Sequence, residues 1–99
     1  MPFAYVHEFD VGADRSTINY DGISAEIRLE EEPAEGLIFH AAGFDGGNFR
    51  MVEVWESPEL QQRFERERLM PAIAEVPGEN GTPPTRTHSY ELHNLIAPS

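Results

Sequence analysis

The chain has 99 residues, no cysteine and a formal net charge of −11. This length supports one domain with a thin core, and the missing thiols exclude a disulfide scaffold, thiol catalysis and a zinc site built on thiolates. The negative charge disfavours nucleic acids and anionic membrane surfaces as partners, because both would repel it. Residues 1–3 lack the pattern of a signal peptide, and no apolar run is long enough to span a bilayer, so a cytoplasmic protein is expected.

Four segments have the composition of β-strands. Residues 3–9 and 37–44 are rich in aromatic and aliphatic side chains. Asp45-Gly46-Gly47 follows the second of these and is a tight-turn sequence, because glycine adopts positive φ without a steric cost. Residues 49–55 are therefore expected to pair with 37–44 as a hairpin, and residues 86–96 to supply the last strand.

Two segments predict helices. Ser16 is a candidate N-cap for the first, in which apolar residues recur at helical spacing, namely Tyr20, Ile23 and Ile27. The acidic run at 30–32 and the proline after it are expected to end this helix. Ser57-Pro58-Glu59 predicts the start of the second helix, whose apolar face carries Leu60, Phe64 and Ile73. Pro71 predicts a kink or a break near Met70, and residues 77–85 predict an exposed, mobile loop that could form a lid.

The order strand, helix, strand, strand, helix, strand predicts a single α+β, ferredoxin-like βαββαβ domain over residues 1–99. Two right-handed crossovers place both helices on one face of a four-stranded antiparallel sheet. The opposite face of the sheet is left uncovered. Because an apolar uncovered face must be buried, we expect two copies to pair sheet to sheet as a homodimer.

The alternation of side chains along the hairpin separates two groups of residues. One side is wholly apolar and is expected to form the dimer contact, with Leu37, Phe39, Val52 and Val54. The other side is expected to form a pocket under the helices, with Ile38, His40, Ala42, Met51, Glu53 and Trp55. A turn at Gly46-Gly47 places His40 opposite Glu53, whereas a turn at Asp45-Gly46 places His40 opposite Met51. Along the first strand, Tyr5 and His7 share one side.

These residues resemble the dimeric α/β-barrel superfamily, and especially its antibiotic-biosynthesis-monooxygenase-like branch. The stretches that carry the resemblance are spread over nearly the full length of the chain, namely residues 19–23, 36–43, 52–57, 63–65, 69–72 and 92–94. The resemblance implies a ferredoxin-like domain that pairs into a dimeric α/β barrel. It implies less about activity, because the superfamily includes cofactor-free monooxygenases, lactone isomerases, haem-handling proteins and cyclases.

His40 is the first candidate for a catalytic base, because a neutral imidazole accepts protons near neutral pH. Glu53 is the candidate that orients it, and the alternative is a core histidine bonded to a carboxylate. Trp55 could form a flat wall for an aromatic substrate, as the resemblance implies for a tryptophan near this position, or simply pack in the core. The further candidates for substrate binding are Tyr20, His7, Tyr5 and Met51.

The sequence predicts a small-molecule enzyme of secondary metabolism. The preferred reaction is a cofactor-independent monooxygenation, in which His40 deprotonates a phenolic or polycyclic aromatic substrate and the anion reacts with oxygen. The alternatives are an isomerase or cyclase that uses the same base, and a non-catalytic protein that binds an apolar or aromatic small molecule. The four histidines lack the spacing of a metal site, and no phosphate loop or dinucleotide motif is present, so neither metal nor cofactor is expected.

Overall fold

The computed structural model of the chain describes residues 1–76 and 83–96. A four-stranded antiparallel sheet has the order β2-β3-β1-β4. The strands are β1 (Phe3–Asp10), β2 (Leu37–Asp45), β3 (Asn48–Trp55) and β4 (Arg86–Glu91). The helices are α1 (Ile18–Ile27), α2 (Pro58–Phe64) and α3 (Met70–Glu75), and a π-helical turn (Glu65–Leu69) joins α2 to α3. The predicted α+β, ferredoxin-like βαββαβ order is confirmed.

The core lies between the sheet and the helices. Trp55 of β3 is wholly buried, and its ring centroid lies 5.2 Å from that of Phe64 in α2. Ile27 of α1 and Ala72 of α3 belong to the same buried cluster. All three helices therefore pack on the face of the sheet that carries Trp55.

The β2–β3 hairpin turns through Gly46-Gly47. Asp45 pairs with Asn48, and His40 pairs with Glu53, as the first of the two predicted registers requires. Gly46 has a φ of 59°, a conformation that glycine adopts without a steric cost. The register of the hairpin therefore brings a histidine and a carboxylate together on the helix-bearing face.

The start of β2 differs from the prediction. Leu37 pairs with Trp55 and Phe39 with Val54, so Ile38 is the extra residue of a β-bulge. Leu37 packs against the helix-side core, and Ile38 is exposed. The assignment of Leu37 to the open face and of Ile38 to the pocket is therefore wrong, because strict alternation does not hold across a bulge.

The ends of α1 are set by residues other than those predicted. The N-cap is Thr17, and the hydroxyl of Ser16 instead accepts from an amide two residues further on, as in an ST-turn. The helix ends at Ile27, before the acidic run, because Arg28 adopts the left-handed conformation with φ 58°. The guanidinium of Arg68 donates to the carbonyl of Ile27 at 2.7 Å, so one of the carbonyls at the C-terminal end of the helix has a hydrogen-bond partner.

The second helical segment begins as predicted and continues past its proline. The hydroxyl of Ser57 accepts from the amide of Leu60 at 3.3 Å, which confirms the N-cap. Pro71 does not break the helix. A π-helical turn precedes it, in which the amide of Met70 donates to the carbonyl of Glu65, five residues earlier. The wider turn accommodates a residue that lacks an amide hydrogen and crowds the preceding turn.

The last strand is shorter than predicted. β4 ends at Glu91 rather than at residue 96, because its partner β1 begins at Phe3, which pairs with Glu91. Most of the loop predicted at 77–85 lies outside the described residues. In its described part, the amide of Thr85 donates to the carbonyl of Glu8 at 2.7 Å, next to the start of β4.

No described helix covers the opposite face of the sheet, which has two halves. The apolar half carries Ala4, Val6, Phe39, Ala41, Val52, Val54 and Tyr90. The ionic half carries Glu8, Asp10, Asp45, Arg50 and Arg86, and the carboxylate of Glu8 lies 2.9 Å from Arg50 and 2.8 Å from Arg86. The hairpin pattern predicted a wholly apolar open face, and this prediction holds only for the apolar half.

Gly36 allows the loop before β2 to approach α2 closely. Its φ is 87°, and a Cβ added to it would lie 2.5 Å from the side chain of Leu60. Gly36→Ala is therefore expected to lower the free energy of unfolding by about 2–4 kcal/mol, because backbone strain adds to a clash. Gly12→Ala is the matched control, since Gly12 has φ 62° with open space around its Cβ, and should cost about 1 kcal/mol. Urea unfolding measures both, and equal losses would contradict the close approach at Gly36.

Candidate active site

A chain of hydrogen bonds joins four of the predicted site residues, namely Tyr20, His40, Glu53 and Trp55. The hydroxyl of Tyr20 lies 2.6 Å from Nε2 of His40. Nδ1 of His40 lies 2.8 Å from Oε2 of Glu53, and the indole of Trp55 donates to Oε1 of the same carboxylate at 3.0 Å. β2 and β3 hold three of these residues side by side, and the packing of α1 on the sheet adds Tyr20.

The donors and acceptors of this chain fix the position of its protons. Burial alone would raise the pKa of Glu53, but hydrogen bonds from His40 and Trp55 outweigh it and hold this pKa below its usual value. The resulting carboxylate can only accept, so Nδ1 of His40 carries a hydrogen. On the neutral ring, Nε2 is left as the acceptor for the hydroxyl hydrogen of Tyr20. The arrangement thus presents the imidazole as a base that points away from its carboxylate.

Tyr20 is held in place by aromatic contacts. Its ring stacks on that of His40 with an interplanar angle of 11°, and the edge of Phe49 lies 5.3 Å away between centroids. Burial raises the pKa of Tyr20, a hydrogen bond from Ser24 offsets part of this rise, and the negative charge of Glu53 adds to it, so the neutral phenol is favoured. Tyr20 therefore faces His40 as a protonated donor.

The other three predicted site residues form a separate group on the same face of the sheet. Tyr5 pairs with Glu53 across β1 and β3, and His7 pairs with Met51. The rings of Tyr5 and His7 stack with their centroids 6.5 Å apart, and Nδ1 of His7 lies 3.2 Å from the hydroxyl of Thr87. This second group adjoins the hydrogen-bonded chain along the strands.

Trp55 has the contacts of a core residue. It is wholly buried, packs on Phe64 and gives its single polar hydrogen to Glu53. Of the two roles considered for it, these contacts describe packing. Contact between Trp55 and a substrate stays a prediction.

Comparison with known proteins identifies the fold. No protein-family model matches the chain, and no curated protein matches it. A candidate antibiotic biosynthesis monooxygenase from Chloroflexus aurantiacus J-10-fl superposes with a TM-score of 0.69 at 14% identity, over 98% of both chains. SnoaB, a cofactor-independent oxygenase from Streptomyces nogalater, gives 0.65 at 11% identity over 96% of each chain. The monooxygenase ActVA-Orf6 of Streptomyces coelicolor, solved with nanaomycin D, gives 0.59 at 20% identity over 98% of this chain and 92% of that one.

The chain has the ferredoxin-like fold of antibiotic-biosynthesis-monooxygenase-like proteins. The neighbours match the branch that the sequence resembles. At these identities the likeness establishes the fold, and the chemistry of this domain has to be argued from its own residues.

Two residues with structural contacts were not singled out in the sequence, Phe49 and Gln61. Phe49, which holds Tyr20, has the same parity along β3 as Met51 and Glu53, so alternation could have placed it on this face. Gln61 of α2 is buried and donates to Glu65. A polar residue one position from the apolar stripe of an amphipathic helix gives no signal of burial.

The four histidines of the domain are divided between the two faces of the sheet and the segment after β4. His7 and His40 face the helices, His88 lies on the open face, and His93 follows the end of β4. Within residues 1–76 and 83–96, no group of three or more histidine, aspartate or glutamate side chains is placed to hold a metal ion. The expected absence of a metal stays a prediction. In the same ranges, no helix combines the length and the apolar character that crossing a membrane requires.

Glu53→Gln is expected to lower the free energy of unfolding by about 1–3 kcal/mol at pH 7, because a buried charged acceptor with two donors is lost. The folded pKa of Glu53 is depressed. Its contribution is therefore present above the unfolded pKa of about 4.3 and disappears as the pH falls through the lower folded value.

Urea unfolding of both proteins from about pH 7 to about pH 3 measures this difference. Glu56→Gln, at the neighbouring exposed glutamate, is the control and should stay within about 0.5 kcal/mol of the wild type. A loss in Glu53→Gln that does not change with pH would contradict a carboxylate held ionised by His40 and Trp55.

Proposed function

We propose that the protein is a small-molecule enzyme of secondary metabolism, a cofactor-independent monooxygenase that oxidises a phenolic or polycyclic aromatic substrate. The observation that carries the proposal is the position of His40 between an ionised carboxylate and a hydroxyl group. The reaction class is supported by the fold shared with SnoaB, which is described as a cofactor-independent oxygenase, and with the monooxygenase ActVA-Orf6.

The proposed reaction needs no external reductant. Removal of the phenolic proton leaves an electron-rich anion, whose ring carbon forms a bond with molecular oxygen. Cleavage of the O–O bond leaves one oxygen atom on the ring as a carbonyl, and the other departs as water. Phenol and O₂ thus give quinone and water, with every electron supplied by the substrate.

The protein contributes a base and the charge that sustains it. His40 takes up the proton at Nε2, and Glu53 stabilises the resulting imidazolium through Nδ1. Trp55 keeps the carboxylate oriented towards the ring by occupying its second oxygen. In other catalytic sites as well, a carboxylate orients the base and a further hydrogen-bond donor holds the carboxylate.

The substrate is proposed to lie beside this chain, over the helix-bearing face of the sheet. Tyr5, His7 and Met51 offer aromatic and apolar surface there, next to Glu53 along β1 and β3. Tyr20 of α1 packs on Phe49 of β3, which lies on the same face of the sheet. Flat ring systems suit such a lining, because aromatic contacts add to apolar burial. A cytoplasmic location stays a prediction from the sequence.

We also propose that the protein is a homodimer, joined through the apolar half of the open face. Phe39 is 48% exposed and Tyr90 is 55% exposed in the single chain, on a sheet face that no described helix covers. Large exposed apolar side chains on one surface are typical of an interface. The ionic half beside them would set the relative orientation of the two copies.

His40→Gln is expected to lower kcat/KM for oxidation of an electron-rich polycyclic phenol by at least about 10²-fold, because the amide cannot accept the proton. His93→Gln, at an exposed histidine beyond β4, is the control and should keep the wild-type rate. Oxygen uptake and quinone absorbance measure the reaction. Turnover without oxygen uptake would favour the isomerase or cyclase, and tight binding without turnover the non-catalytic protein.

Phe39→Asp is expected to convert the dimer to a monomer at micromolar concentration, because it places a charge in the apolar contact. Ile18→Asp is the matched control, since Ile18 is 78% exposed but lies on α1, away from the open face. Light scattering gives the mass of each variant. A wild-type mass of one chain would overturn the dimer.

A further inference from the structure

The acceptor atom of the proposed base is already occupied. Nε2 of His40 has one lone pair, and the hydroxyl of Tyr20 lies 2.6 Å from it. The other ring nitrogen faces Glu53 at 2.8 Å. A substrate hydroxyl therefore finds no free nitrogen on this imidazole unless Tyr20 moves away.

Several contacts oppose such a movement of Tyr20. Its ring is stacked on the imidazole, and Phe49 packs against it edge-on. Phe49 is in turn packed against Phe44, with 5.1 Å between the centroids, at the turn end of the hairpin. Displacing Tyr20 would thus disturb an aromatic cluster and break the hydrogen bond to His40.

The oxygen of Tyr20 remains able to accept a hydrogen bond. A phenol has one hydrogen and acceptor capacity on the same oxygen, and the hydrogen of Tyr20 is directed at His40. A substrate hydroxyl can donate to this oxygen in place of the Ser24 hydroxyl, which is the other hydrogen-bonding group beside it, while the bond to His40 stays in place. Tyr20 as a whole residue is only partly buried.

We propose that Tyr20 is a catalytic residue that passes the proton of a phenolic substrate to His40. This inference rests on the proposed function. The O–H bond of the substrate breaks as a new O–H bond forms on Tyr20, and the original hydrogen of Tyr20 moves to Nε2 of His40. The products are a substrate phenolate and an imidazolium paired with Glu53, so atoms and charge balance.

The surroundings of Tyr20 favour a concerted transfer. Burial and the charge of Glu53 raise the pKa of Tyr20, so a free tyrosinate is disfavoured in this position. A relay in which Tyr20 gains one proton as it loses another never forms that anion. After the transfer, the hydroxyl of Tyr20 donates to the phenolate, which stabilises the reactive form of the substrate.

The test is an anaerobic titration with 2-naphthol, a two-ring phenol whose neutral and ionised forms absorb at different wavelengths. Without oxygen the ligand is not consumed, so binding and ionisation are read together. The wild-type protein is expected to lower the apparent pKa of bound naphthol by about one unit or more, a tenfold increase in the ionised fraction. The control His93→Gln, at an exposed histidine beyond β4, should leave this fraction unchanged.

Two variants separate the relay from its alternatives. Tyr20→Phe keeps the ring, and should lose the tenfold gain in ionisation while the Kd rises by no more than about tenfold. His40→Gln keeps Tyr20 and should lose the same gain, because no acceptor remains for the proton. Loss in both variants supports the relay. If Tyr20→Phe fails to fold, O-methyltyrosine at position 20 replaces it, since it keeps the ring and the oxygen but has no proton to pass on.

The contrary outcomes are distinct. Ionisation that persists without the Tyr20 hydroxyl but is lost in His40→Gln would overturn the relay and leave His40 as a base in direct contact with the substrate. Ionisation that persists in His40→Gln would show Tyr20 to be a hydrogen-bond donor only and would remove His40 as the base. A wild-type protein that neither binds nor ionises naphthol would overturn the proposed function together with the relay.

Discussion

The carboxylate of Glu53 is the group on which the arrangement of the site depends. A charge buried without partners would cost several kcal/mol, and here two donors offset that cost, the imidazole of His40 and the indole of Trp55. The two donors come from different places in the fold, an edge strand and the centre of the core. Satisfying one buried charge therefore ties β2 to the core and at the same time fixes the tautomer of His40.

The sheet separates two kinds of chemistry onto its two faces. The helix-bearing face holds the buried polar chain inside an apolar surround, where hydrogen bonds and charges interact strongly. The open face divides along the strands into an apolar half and an ionic half, in which Glu8 bridges Arg50 and Arg86. The pKa of Glu8 lies below its usual value, chiefly through its hydrogen bond with Arg86. The same strands thus provide a polar site on one side and an association surface on the other.

Local patterns predicted the elements of this fold and the candidate residues of its site, but not all of the contacts between them. The sequence left two registers open for the hairpin, and the observed turn at Gly46-Gly47 selects the one that pairs His40 with Glu53. The bulge at Ile38 carried no signal, since its alternation looks regular in the sequence. The bond from Tyr20 to His40 depends on how α1 docks on the sheet, and this packing arises only when all the elements are assembled. The left-handed turn at Arg28, which ends α1 early, likewise had no signal in the sequence, and in the folded chain Arg68 donates to the carbonyl just before it.

The most direct test of this site is to determine which ring nitrogen of His40 carries the hydrogen. ¹⁵N NMR of the neutral imidazole distinguishes the two nitrogens and needs no substrate. We expect the hydrogen on Nδ1 and a bare Nε2, together with a Trp55 indole proton that exchanges slowly with solvent because it is bonded to a buried carboxylate. In Glu53→Gln, the preference for Nδ1 should be lost and the indole proton should exchange faster. A wild-type imidazole that carries its hydrogen on Nε2, or that averages between both nitrogens, would contradict a base held towards Tyr20 by Glu53.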